Sequence, residues 1–260
     1  MADKTFDLTG KVALITGGNG GIGLGFAEAV AAAGAHVCIW GTNKEKNAAA
    51  LKKLKAYGTQ VSASLCNVGD EKQVETSFQE AEKEFGRIDA CFANAGVSGK
   101  AASFLEISAE EWNRVMGINL TGAFYTFRAA ARHMVERAKN NDPGGRLIGT
   151  ASLAAVSGAA RNEQYAASKG GMISMIKALA VEFARYGVTA NAILPGWIET
   201  DMTQGAFSWK KFADAVMPRI PMRRWGRPDD FGAIAVYLMS DASIYHSGQS
   251  FCIDGGYLVF

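Results

Sequence analysis

This 260-residue chain holds little that points to a membrane, a nucleic acid or a metal. No stretch approaches the roughly 18 uninterrupted apolar residues that a bilayer span needs. The opening MADKTFDLTG is charged and has no apolar signal core, so the chain is expected in the cytoplasm. Charge of one sign is also lacking. The 27 basic and 25 acidic residues leave a formal net charge of +2 with no basic stripe, which argues against nucleic acid as a partner. Cysteines are few: Cys38, Cys66, Cys91 and Cys252 lie in apolar, strand-like segments without CxxC or Cys/His ligand spacing. They are expected as buried thiols, with neither disulfides nor a metal site. There are only five prolines, and no internal repeat or Pro/Ser-rich linker offers a domain boundary, so residues 1–260 are expected to form one domain. With 48% apolar residues and 30 glycines, the chain can bury a large core.

Short β-branched runs alternate with longer Ala-rich stretches, which predicts an α/β, doubly wound Rossmann-type fold: a seven-stranded, mainly parallel sheet with helices on both faces. Strands are expected near Lys11–Thr16, His36–Trp40, Gln60–Asn67, Ile88–Ala93, Arg146–Ala151, Val188–Leu194 and Gln249–Ile253. Apolar spacing of three and four predicts helices over Phe26–Ala33, Lys44–Tyr57, Glu71–Phe85, Glu110–Lys139, Glu163–Tyr186 and Pro228–Met239, the fourth interrupted between Gly117 and Gly122.

The first strand runs into Gly17-Gly18-Asn19-Gly20-Gly21-Ile22-Gly23 and then a helix. That order suits a dinucleotide, because glycines let the backbone approach a pyrophosphate while helix N–H groups and the helix dipole stabilise its charge. Gly17, Asn19, Gly21, Ile22 and Gly23 are the candidate contacts, although the same cluster also reads as a tight turn. After the second strand, Gly41, Thr42 and Asn43 stand where an acid would bind a ribose hydroxyl or an arginine a 2′-phosphate, and neither is present. Lys44 and Lys46 read either as phosphate partners or as a solvated first helical turn.

Tyr165 and Lys169 are four apart on one helix face. An ammonium nearby favours a phenolate, which would lower the tyrosine pKa from about 10 and let it shuttle protons. Ser152 follows the fifth strand, at the sheet edge where such folds bind ligands, and could orient a carbonyl. Taken singly, the pair reads as an amphipathic helix face and the serine as a cap. Asn119 alone reads as a cap or turn residue.

In these residues the sequence resembles the short-chain dehydrogenase/reductase family over essentially its whole length: Thr16-Gly17 with Gly21-Ile22-Gly23, Asn94-Ala95-Gly96, Asn119, Ser152, Tyr165 with Lys169, Pro195-Gly196 with Thr200, Arg227-Pro228-Asp229-Asp230, and Gly248-Gln249 to Asp254-Gly255-Gly256. The resemblance implies NAD(H) or NADP(H) and hydride exchange with a ketone or secondary alcohol. It implies Tyr165 as general acid/base, Ser152 on the substrate oxygen, Lys169 on the nicotinamide ribose and Asn119 in a water-linked proton relay. It also implies that Asn94, Ala95 and Gly96 line the adenosine side, that Pro195, Gly196, Ile198 and Thr200 meet the nicotinamide, and that the protein is a homotetramer. Two departures touch the adenosine half: Asn67-Val68 stands where the family commonly has Asp before Val, and Gly20 where NADP users often carry a basic residue. With no arginine fork for a phosphate, the expectation leans to NAD.

Leu153, Val156, Gln164 and Trp197 are candidates for the substrate wall. Residues 201–222, with Met202, Phe207, Trp209, Phe212 and Met217, read either as a lid or as helices packed on the core or on a neighbouring subunit. Their apolar character tilts the substrate towards a hydrophobic ketone or cyclic alcohol over a sugar. A ketoreductase acting on acyl-carrier-protein thioesters is the near alternative, with Arg219, Arg223 and Arg224 as its docking surface. Two remoter alternatives are a nucleotide-binding regulator without chemistry and a nucleotide-sugar epimerase or dehydratase, for which the chain looks too short.

Overall fold

The computed structural model describes residues 5–99 and 101–260. In chain order the elements are β1 (Val12–Thr16), α1 (Gly21–Ala32), β2 (His36–Gly41), α2 (Lys44–Leu54), β3 (Val61–Leu65), α3 (Glu71–Phe85), β4 (Ala90–Ala93), α4 (Ala109–Met116), α5 (Gly122–Lys139), β5 (Gly145–Thr150), α6 (Ala154–Ser157), α7 (Glu163–Phe183), β6 (Val188–Pro195), α8 (Gln204–Phe207), α9 (Lys210–Val216), α10 (Gly232–Met239) and β7 (Ser250–Ile253). Among the described residues the seven strands form one sheet, ordered β3-β2-β1-β4-β5-β6-β7. Every pairing is parallel. The predicted strands are all present, most of them a residue or two shorter at the ends.

The central strands β1 and β4 are buried along their whole length and almost wholly apolar, because both faces of the sheet are covered there, whereas the edge strands β3 and β7 are only partly buried. Alternation along β1 divides the core: Val12 and Leu14 pack with Phe127, Met134 and Met172 on one face, while Ala13 and Ile15 pack with Phe26, Val30 and Phe231 on the other. Asn43, Asp70 and Ser108 cap α2, α3 and α4 by accepting from backbone N–H groups of the first turn. None of the described helices is long and apolar enough to cross a membrane.

One expectation is refined and one changes. The interruption between Gly117 and Gly122 is present, but the chain stays helical through it. Residues Gly117–Thr121 form a π turn joining α4 to α5, with right-handed helical backbone at both glycines. Gly122 serves close approach rather than a break, since a Cβ there would fall 2.8 Å from Val68 Cγ2 and 2.9 Å from the Val68 carbonyl oxygen. Cys252 is exposed on the edge strand β7, whereas the other three cysteines are buried. Partial burial and the neighbouring Asp254 push its thiol up to about 12, so it is no nucleophile at neutral pH.

Candidate functional site

The chain winds outward from β1 to β3 and then crosses back to β4, so β1 and β4 mark the topological switch point. The crevice beyond their carboxyl ends is the ligand position of an open parallel sheet. A cleft of about 400 Å³ lies there.

One end is built by the glycine loop. Gly17 and Gly21 take positive φ (63° and 50°), and a Cβ on Gly23 would fall 2.2 Å from the Gly17 carbonyl oxygen. Thr16 and Asn94 lock this loop to the β4 turn: Thr16 Oγ1 accepts from the N–H groups of Asn94 and Ala95, and Asn94 Nδ2 donates to the carbonyls of Thr16 and Gly17. Unlike α2, α3 and α4, helix α1 has no side-chain cap, so its first-turn N–H groups remain available to an anion. The loop therefore fits the pyrophosphate of a dinucleotide.

Gly41, Thr42, Lys46, Asn67 and Val68 line the cleft further along, together with Trp40 and Cys66, which the sequence reading did not select. Gly41 is glycine because its surroundings are full: a Cβ would lie 2.1 Å from Asn19 Nδ2 and 2.5 Å from Asn47 Oδ1. Those two amides hydrogen-bond at 2.7 Å, and Asn47 Nδ2 donates to the carbonyls of Gly41 and Ser64. Amide dipoles thus occupy the space of the missing acid. Asn43 does not line the cleft, because its side chain caps α2. Lys46 Nζ reaches Asp201 Oδ2 at 2.5 Å, and both residues line the cleft although they are 155 positions apart.

Ser152, Tyr165 and Lys169 meet at the other end, beside Pro195, Gly196, Ile198 and Thr200. Ser152 accepts from the Ala154 N–H at 3.1 Å, which fixes the turn after β5, and it also hydrogen-bonds the Tyr165 hydroxyl. Burial pushes the Tyr165 phenol above its ordinary value, and the bond to Ser152 offsets part of the rise. The expected downward pull of Lys169 is not met. Burial brings that ammonium itself down to about 8, and its Nζ donates to the Thr150 carbonyl at 2.7 Å, 5.6 Å from the Tyr165 ring centroid. At neutral pH the lysine is still mainly charged, and the phenol remains protonated.

Asn119 is wholly buried in the π turn and does not line the cleft. Its Oδ1 accepts from the Val97 N–H, and its Nδ2 donates to the Val97 carbonyl and to Ser168 Oγ, which in turn donates to the Tyr165 carbonyl. Its side chain is therefore engaged in positioning the β4 loop against α7.

The predicted substrate residues separate from the nucleotide cleft, although Leu153, Gln164 and Trp197 each adjoin a lining residue in sequence. Leu153 packs with Val216, Ile220 and Tyr257. Trp197 meets Phe212 edge-on at 5.0 Å, while Phe207 stacks on Trp225 at 4.0 Å, so α8 and α9 are held by aromatic packing. Gln164 is fully buried, and Val156 is exposed. Among residues 201–222, only Asp201, Met202 and Thr203 line the cleft. The expected docking arginines are engaged internally: Arg219 lies over the Tyr257 ring, Arg223 donates to the Pro218 carbonyl, and Arg224 forms two bonds to Asp230.

Residues 17–258 match a family model described as enoyl-(acyl carrier protein) reductase. A sorbose reductase of Schizosaccharomyces pombe is 38% identical, covering 97% of both chains. A 5-keto-D-gluconate 5-reductase of Escherichia coli is 35% identical, covering 98% of both. A solved structure from Agrobacterium tumefaciens, described as a 2-deoxy-D-gluconate 3-dehydrogenase with bound NADP, superposes with a TM-score of 0.90 at 34% identity, covering 98% of this chain and 99% of that one.

Proposed function

The chain belongs to the short-chain dehydrogenase/reductase family, and on that premise we propose that it reduces the carbonyl of a polyhydroxylated ketone, a ketose or keto-sugar acid, with NADPH. Its reaction class is hydride exchange between a nicotinamide cofactor and a carbonyl or secondary alcohol. The observation that carries the reading is the hydrogen-bonded Ser152 and Tyr165 pair, with the Lys169 ammonium beside it, at the switch point of the sheet.

Bound nicotinamide supplies the hydride. The protein's part is to hold the substrate oxygen with the Ser152 hydroxyl and to deliver the Tyr165 proton to it, and a phenol held protonated by burial suits the reductive direction. Lys169 supplies a positive charge in a dry pocket, where it can hydrogen-bond ribose hydroxyls.

The polyol substrate is supported by the sorbose and keto-gluconate relatives and replaces the lean to a hydrophobic ketone. Internal engagement of Arg219, Arg223 and Arg224 weighs against the acyl-carrier-protein alternative. NADP(H) replaces the lean to NAD(H), because Lys46 lines the cleft, no carboxylate stands at Gly41 to repel a 2′-phosphate, and a relative binds NADP. Residues 201–222 serve as the substrate lid. Val259 (91% exposed) and Phe260 (71%) form an apolar C-terminal end that supports self-association.

The test is loss of reduced-nicotinamide absorbance with sorbose, 5-keto-D-gluconate, cyclohexanone and a β-ketoacyl thioester. Turnover of the polyols is expected, with Tyr165→Phe falling by about 10²–10⁴-fold. Turnover of the thioester alone, or full activity in the variant, would overturn the proposal.

A further inference from the structure

Gln164 directly precedes Tyr165 in the first turn of α7 and is completely buried, yet among the described residues neither its Oε1 nor its Nε2 has a hydrogen-bond partner. A buried polar group left bare is destabilising, so methionine or leucine would be the more stable choice in a position that only fills space. The neighbouring amide behaves otherwise: Asn162 Oδ1 accepts from the Gly99 N–H at 2.8 Å, and its Nδ2 donates to Ser98 Oγ at 3.0 Å. Gly99 leaves room for both amides, since a Cβ there would lie 2.1 Å from Gln164 Nε2 and 2.5 Å from Asn162 Oδ1. This seam is joined in sequence to the cleft wall. Asn94 to Val97 and Tyr165 line the cleft, and Ser98, Gly99, Asn162 and Gln164 follow on from the same two segments. Arg114, which donates to the Ser98 carbonyl, is held by both carboxylate oxygens of Glu111.

We propose that Gln164 is the specificity-determining residue of this site: its amide, which both donates and accepts, pairs with two hydroxyl groups beside the reacting carbonyl of a polyhydroxylated ketone. The proposal rests on the polyol reading above and deepens it. A neutral amide pairs with hydroxyls equally well in a ketose and in a sugar acid. An apolar ketone leaves it bare and gains nothing from it.

The experiment compares Gln164→Met, which keeps the length and apolar volume, with the native enzyme on sorbose and on cyclohexanone, and records melting temperature in parallel. Gln164→Asn, which keeps the amide but withdraws it by one methylene, serves if the methionine variant does not fold. The expected result is a tenfold to hundredfold fall in kcat/KM for sorbose, carried mainly by KM, with the cyclohexanone value within threefold of native and an unchanged or higher melting temperature. Equal losses on both substrates would assign Gln164 to support of Tyr165 and overturn the proposal, as would no loss on either. Native enzyme that turns over cyclohexanone but no polyol would overturn the polyol reading and this proposal together. Native polyol turnover with an unmoved substrate ratio in the variants would overturn the specificity role alone.

Discussion

Replacing Lys169 by methionine is expected to make the protein more stable while removing its activity. The native Nζ is buried, and burial lowers its pKa from 10.5 to about 8. That shift of about 2.5 units corresponds to roughly 3 kcal/mol held against the charged form. Methionine removes this cost but also the bond from Nζ to the Thr150 carbonyl, which contributes about 1 kcal/mol. The net gain is about 2 kcal/mol, or roughly 4–8 °C in melting temperature for a chain of this size. The sign with pH follows from proton counting. Between about 8 and 10.5 the unfolded lysine binds a proton that the folded one does not, so native stability rises with pH across that window. Below pH 8 the variant's advantage is therefore full, and towards pH 10 it shrinks. Thermal denaturation of both proteins at pH 7 and pH 9.5 measures it. A variant that melts lower at pH 7, or a difference that does not narrow with pH, would refute the assignment of a strained, desolvated ammonium.

Three further outcomes follow from the same geometry. Reduction should hold level below pH 8 and decline above it as Lys169 loses its charge, which a kcat/KM profile from pH 6 to 10 would show; a decline centred below pH 7 would exclude Lys169 as the group responsible. Lys46→Ala is expected to raise the KM for NADPH about fivefold to tenfold and that for NADH less than twofold, consistent with one exposed charge acting on a phosphate. Asp201→Asn, which frees Lys46, should move NADPH the other way by a smaller factor. Gly41→Asp, the change that would install a ribose-binding acid, is expected to destabilise by about 1–3 kcal/mol without producing NADH preference, because its Cβ meets the Asn19 and Asn47 amides; calorimetry and the NADH/NADPH activity ratio would report both.

Much of the molecule was legible before any coordinates. The strand order along the chain, the glycine loop and the Ser152, Tyr165 and Lys169 set could be read because each is carried by local signals: alternating period, turn chemistry and four-residue helical spacing. The misreadings share a physical origin in contacts between distant segments. Gly122 could be read only as part of a helix interruption, while its missing Cβ answers to Val68, 54 residues away. For Asn43, only the folded chain shows that its side chain caps α2. Cys252 looked buried because an apolar strand does not say whether it lies at an edge. Gln164 was visible as a neighbour of Tyr165, but only packing shows that its amide has no partner.

By itself, then, the sequence determined the alternation of strand and helix, the uncapped glycine entry to α1 and the pairing of Tyr165 with Lys169 on one helix, since these depend on residues within one turn or one strand of each other. The tertiary structure alone decided the direction of the Tyr165 and Lys169 shifts, the filling of the Gly41 position by amides, the engagement of Asn119 and the pairing of Lys46 with Asp201. Burial and long-range hydrogen bonding set each of these, and both are properties of segments brought together from across the chain.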